Sequence, residues 1–400
     1  MHARIKMKTA KIKITNLLHS EMLSGFFLVL SFIAAICVAN IPMFQETYRT
    51  FVFLPVSFGY GQFIYHTHLI NLANDGLMTL FFLLIGLELK FHLVCGEFKD
   101  KKTLVFPSAA AVGGIIIPAF FYLYFNYDSS TFKGWAIPIA TDTAFMLGIL
   151  SFFGKFITSK LRAFIIGFSL VDDALALIIL AVFFSKAPNI LALISSITLV
   201  SLLIILNQLK IKHNFPYILI GVFLWFSMVE AGIHGTLSGI ILALAIPVQI
   251  NDKINPSFQK LESFLKPLVY FLILPLFSFI NSGIDFSNFS YYILQSNITL
   301  GIISGLFLGK QLGVFLFSYA AVKMKWCSLP KDISWGKLYA VAILGGIGFT
   351  LSLFIGDLTF EAGGPNYAMR AGVVIGSLLS AAFGILILFF LAKNREVQTV

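Results

Sequence analysis

Long apolar runs recur along this chain and leave it few ways to fold. Stretches of about 18 or more mostly apolar residues fall near 23–40, 73–93, 103–125, 134–154, 160–183, 188–206, 215–231, 233–248, 265–282, 296–320, 336–356 and 369–392. In lipid no water pairs the backbone, so only helices and closed barrels cross a membrane, and runs of this length are helical. Composition agrees: 58% apolar and 12% charged residues, with a mean hydropathy of +0.92, exclude a soluble domain of this size. The expected fold is an all-α polytopic membrane protein of about 12 transmembrane helices.

The formal charge of +10 orients the chain and does not point to nucleic acid. Alternate ends of twelve spans place 23 of the 28 Lys and Arg on one side, leaving Arg49, Lys133, Lys186 and Arg370 on the other. By the positive-inside rule both termini are cytoplasmic, and an odd number of spans would scramble this asymmetry. Residues 1–22 are basic and run into the first span with no small-residue cleavage site. They are expected to be a retained anchor at the anionic inner surface. Residues 393–400 form a cytoplasmic tail.

Cys37, Cys95 and Cys327 have no metal-ligand spacing, and neither do the seven histidines; no disulfide framework, structural metal or cofactor is expected. One loop, 41–72, is long enough to carry structure. Its TFVFLPVSF, GYG and QFIYHTH segments read as an extracytoplasmic β-hairpin over 48–68. So apolar a hairpin has two uses, a dimer contact or a lid on its own spans and the lipid interface.

Charges within the spans are few. Asp172 and Asp173 stand side by side in AFIIGFSLVDDALALIILAVFF, Asp142 interrupts GWAIPIATDTAFMLGIL, and Lys310 interrupts GIISGLFLGKQLGVFLF. A carboxylate at mid-bilayer costs roughly 2.5–3.5 kcal/mol on insertion scales, so an adjacent pair there reads as functional. Asp75, Glu88 and Glu230 lie near span ends, where a snorkelling role serves as well. Two spans also contain helix breaks. Pro138 and the TDT triplet interrupt the fourth, and Gly345, Gly346 and Gly348 interrupt the eleventh. Such breaks survive at depth only where protein or a water-filled cavity satisfies the freed groups. Each broken span is the middle one of three, in 103–183 and in 296–392. Three spans reverse direction, so these groups would form an inverted repeat.

The strings FFLLIGLELK, GWAIPIATDTAF, LVDDALALIIL, IHGTLSGII, LILPLFSFINSGI, LGKQLG and GGIGFTLSLFI, in this order from about residue 20 to 390, closely resemble the bacterial NhaA family of sodium/proton antiporters. The resemblance implies an inner-membrane secondary transporter, not an enzyme. It would export sodium or lithium against entering protons, electrogenically and with pH dependence, and contribute to pH homeostasis and salt tolerance. Asp173 would be the principal sodium carboxylate, and Asp172 the partner of Lys310. Thr141 would be a cation or outer ligand, and Asp142 would offset the positive ends of the half-helices. Gly346 and Gly348 would mark the crossing partner. Spans within 23–93 and 233–282 would form the interface part, and 103–183 with 296–392 the core. Glu88, Glu262 and His234 are candidates for pH regulation, the hairpin for a homodimer contact, and membrane lipids for further partners.

Residue chemistry is compatible with exchange. Sodium is a hard cation satisfied by carboxylate, hydroxyl and carbonyl oxygens. A carboxyl group withdrawn from water and set beside a like charge competes for protons near neutral pH, so one site can hold either substrate. Departures from the family pattern fall at His92, Ser263, Lys266 and Glu230, which predicts a shifted pH profile. Two other classes fit the residues less well. An intramembrane aspartyl protease needs two facing carboxylates sharing a proton, whereas adjacent helical aspartates point ~100° apart. A passive cation channel favours charge rings over a buried lysine paired with acids.

Overall fold

The computed structural model describes residues 23–60, 63–96, 98–127, 130–154, 157–184, 189–250, 253–284, 291–360 and 363–397. The basic segment 1–22, the end of the 393–400 tail and the hairpin turn at 61–62 lie outside the described residues.

Helices dominate. In chain order they are α1 (Leu23–Asn40), α2 (Pro42–Val52), α3 (Leu69–Val94), α4 (Lys101–Asn126), a 3-10 half-helix (Phe132–Ile139), α5 (Thr143–Phe152), α6 (Ser159–Phe183), α7 (Ile190–Gln208), α8 (Asn214–Glu230), α9 (Thr236–Ala245), α10 (Pro256–Asn281), α11 (Tyr291–Leu294), α12 (Asn297–Lys323), α13 (Trp335–Leu344), α14 (Phe349–Thr359) and α15 (Gly364–Val397). Among the described residues nine spans are long and apolar enough to cross a membrane, or ten with α13 and α14 taken as one bent pair. The expectation of twelve runs ahead of this at α8 and α9, which are apolar but shorter. Between the expected spans 215–231 and 233–248 lies a turn that places Gly232 at φ 76°, where a side chain would be strained.

The expected hairpin is present but shorter than 48–68. Strand β1 (Pro55–Tyr60) pairs antiparallel with β2 (Phe63–His68), in a register joining Pro55 to His68 and Val56 to Thr67. Residues 48–52 belong instead to α2. Pro42 in its first turn presets the backbone, and Tyr48 and Val52, four apart, are both buried. A helical face outweighed the strand-favouring aromatic and β-branched residues there. A second small ladder joins Gln249–Ile250 to Lys253–Ile254, which the sequence reading missed.

Polarity is inverted relative to a soluble protein. Leu191 and Ile190 on α7 are 79% and 72% exposed, while Lys310 is fully buried and Asp172 is 1% exposed. Apolar side chains face outward where lipid would lie, and the charges are gathered inside. Glycines bring the helices around those charges close together. A Cβ on Gly313 of α12 would collide with the Gly113 carbonyl of α4, and one on Gly114 would lie 3.3 Å from Lys310 Nζ.

Candidate functional site

Two interrupted spans meet back to back in the interior. The fourth leaves the helix after Ile139, whose residue Pro138 cannot continue the ladder, and resumes at Thr143. The eleventh breaks between Leu344 and Phe349 with a bend of 43°. Each break satisfies the other. Asp142 N donates to Ile347 O at 2.6 Å, Thr141 Oγ1 donates to Gly345 O at 2.8 Å, and Ser352 Oγ donates to Ile137 O at 2.8 Å. Ser377 Oγ accepts from the N–H groups of Gly348 and Phe349 at 3.1 and 3.2 Å. The freed backbone groups are thus paired within protein, as depth in a membrane requires.

Asp142 is fully engaged. Its Oδ1 accepts from Phe145 N at 3.2 Å, and its Oδ2 accepts from Thr350 N at 3.1 Å and Thr350 Oγ1 at 2.5 Å. One carboxylate therefore caps the N-terminal turns of both α5 and α14, the positive ends of their dipoles. Thr350 was missed in the sequence. A threonine after glycines in a membrane helix is too common to single out.

Asp172 is engaged as well. Lys310 Nζ donates to its Oδ1 and Oδ2 at 2.8 and 3.0 Å, and to Ile139 O at 2.5 Å. The ammonium also stands over the Phe168 ring, 5.7 Å from its centroid. The Ile139 carbonyl is at the negative end of the half-helix, so the lysine offsets an acid and a dipole together. Lys310 follows a π-helical turn, Gly305–Gly309, a distortion that re-aims the residue after it.

Asp173 differs from both. It is 4% exposed, and its carboxylate accepts no hydrogen bond from any described residue. It lines a cavity of ≈ 240 Å³ with Thr141, Thr143, Ser169 and Thr350. That cavity reaches Glu88, His92 and Lys266, toward the C-terminal end of α3. Asp172 is not part of its lining. Thr141, which donates to Gly345 O, also lines this space. A free carboxylate with neutral oxygens around it can take a proton or a small hard cation.

The remaining candidates divide. Glu88 and Lys266 form an ion pair at 2.8 Å beside the outer cavity, and Glu262 lies within electrostatic reach of both. Ser263 bonds only its own helix, at Gln259 O, among the described contacts. His234 is elsewhere, with Nε2 2.9 Å from Phe184 O at the far end of α6. Gly346 and Gly348 sit in the break itself. A Cβ on Gly346 would run into Leu306 O, and one on Gly348 into Ser352 Oγ. Close approach is what each position requires.

A buried ion pair at the meeting point of two broken membrane helices, with an uncommitted acid beside it lining a cavity, is the arrangement of a membrane transporter. The family model described as Na+/H+ antiporter 1 matches residues 15–388. A Na(+)/H(+) antiporter NhaA of Rickettsia massiliae (strain Mtu5) is 54% identical over 389 residues, 96% of this chain and 96% of the relative. Another, NhaA 2 of Shewanella denitrificans, is 41% identical over 374 residues, 92% and 94% of the two chains. The chain belongs to the NhaA-type Na+/H+ antiporter family.

Proposed function

We propose that this protein is an electrogenic, pH-dependent antiporter that exports sodium or lithium in exchange for entering protons, by alternating access at Asp173. One observation carries the reading: of the three buried acids among the described residues, Asp142 and Asp172 have their oxygens committed, and Asp173 lines the cavity uncommitted. A site that holds one substrate at a time, and crosses only when occupied, couples the two flows. Asp172 and Lys310 supply the second proton-handling group, so more positive charge enters than leaves. Each net charge then gains roughly 2.3 kcal/mol per 100 mV.

In this reading α8 and α9 serve as the seventh and eighth of twelve crossings, and 103–183 and 296–392 form the inverted-repeat core. That core moves against 23–93 and 233–282. Both termini lie in the cytoplasm, with the cavity reaching that face by way of Glu88, His92 and Lys266. The hairpin on the other face joins two copies, lipids surround the pair, and no resident cofactor is needed. The test is a vesicle experiment. In everted vesicles with an imposed acid interior, sodium or lithium should collapse the gradient, and Asp173→Asn should abolish the response. Collapse that persists in the variant rejects the site; no collapse by wild type at neutral or alkaline pH rejects the function.

A further inference from the structure

Ser169 is a buried hydroxyl without a partner. It lies on α6, is 3% exposed, and its Oγ makes no hydrogen bond to any described residue. Serine and threonine inside helices ordinarily donate to the carbonyl one turn back, and this chain does so repeatedly. Ser201 bonds Ile197 O at 2.8 Å, Thr198 bonds Ile194 O at 2.9 Å, and Ser196 bonds Ala192 O at 2.9 Å. Ser169 makes no such bond, and the residue lines the cavity together with Asp173. Four residues apart on one helix, the two side chains share a face one above the other. Thr143, at the start of α5, shows the same pattern: its Oγ1 is buried and unpartnered, and it lines the same cavity.

Burying a hydroxyl unpaired is costly, so two of them around one uncommitted carboxylate call for a ligand. We infer that Ser169 and Thr143 complete the oxygen shell of the exchanged cation at Asp173. The inference rests on the exchange reading above and adds the residues that favour the cation over the proton. A hard cation stripped of water needs several oxygens. One carboxylate provides the charge, and three hydroxyls, those of Thr141, Thr143 and Ser169, provide neutral ligands without adding charge that would hold the ion too tightly. A proton needs the carboxylate alone. Removing a hydroxyl therefore weakens the cation and leaves the proton as it was.

The experiment measures exchange in everted vesicles and melting of the purified full-length protein, for wild type, Ser169→Ala, Ser169→Thr and Thr143→Val. Loss of one ligand to a charged group corresponds to roughly a tenfold change in affinity. Ser169→Ala should raise the KM for sodium and for lithium about that much, with maximal rate retained, and Ser169→Thr should restore it. Thr143→Val should act in the same direction. Because proton affinity is untouched, the factor should be the same at every pH. Melting separates a ligand from a packing residue. Without sodium, Ser169→Ala should melt at or above wild type, since it removes an unpaired buried hydroxyl. The upward shift that sodium produces should shrink. An unchanged KM, an unchanged sodium-induced shift, or a KM factor that varies with pH overturns the inference alone. A wild type with neither exchange nor a sodium-induced shift overturns the exchange reading itself.

Discussion

Breaking the Lys310–Asp172 pair should cost more than removing it whole. At the observed 2.8 Å, with an effective dielectric of 20, the attraction is about 6 kcal/mol. Withdrawing each ion from water costs several kcal/mol, so the two terms nearly cancel and the intact pair adds little to stability. Removing one partner is different, because it strands a buried charge at roughly 3–5 kcal/mol. Asp172→Asn and Lys310→Met should each lower the melting point of the purified protein, followed by tryptophan fluorescence. The double variant should lie closer to wild type than either single one. It should still fall short, since Ile139 O loses its donor, a loss of about 1–3 kcal/mol. A double variant whose loss equals the sum of the singles would refute the reasoning. The two charges would then contribute independently, and the pair's presence could not be ascribed to function over stability.

Two further outcomes are expected. Gly346→Ala should destabilise by about 1–3 kcal/mol and abolish exchange, because the new methyl meets Leu306 O and Ser380 Oγ, whereas Gly345→Ala, with its nearest neighbour at 3.3 Å, should be tolerated; equal behaviour of the two would reject close approach as the reason. Tyr48, outside the spans, donates to Phe279 O at 2.6 Å, and burial pushes its phenol from 10.0 up to about 12, against a smaller opposing pull from Arg370. The neutral form is favoured when folded, so this stabilisation is complete below pH 10.0 and lost as pH rises toward 12. Tyr48→Phe should flatten the decline of melting temperature in that window, and an undiminished slope would show that Tyr48 is not its source.

Membrane residence, both helix breaks and the four buried charges were readable because each is an expensive departure from an apolar background. A carboxylate at that depth stands out in a hydropathy profile. Hydroxyls do not. Ser169, Thr143 and Thr350 resemble the many serines and threonines that bond their own helix, and only the placement of a neighbour or a cavity separates them. The hairpin boundary was misjudged for a related reason. Residues 48–52 are rich in the aromatic and β-branched types that favour strands, but Tyr48 and Val52 can also lie on one helical face, and their burial settled the matter in three dimensions. At α8 the expected 215–231 matches the helix Asn214–Glu230, whereas at α9 the apolar run 233–248 extends beyond a helix of 10 residues, Thr236–Ala245. Asp172 faces Lys310 and Asp173 lines the cavity, consistent with the ~100° step between neighbours on a helix.

Asp142 has a mechanical consequence beyond its charge. Because a single side chain bonds the first turns of both α5 and α14, neither half-span can slide or swivel alone without breaking those hydrogen bonds. Any displacement that carries one must carry the other, with the 141–142 and 345–347 segments between them. The low-cost motion is of the crossing as one piece, like a hub turning with its spokes.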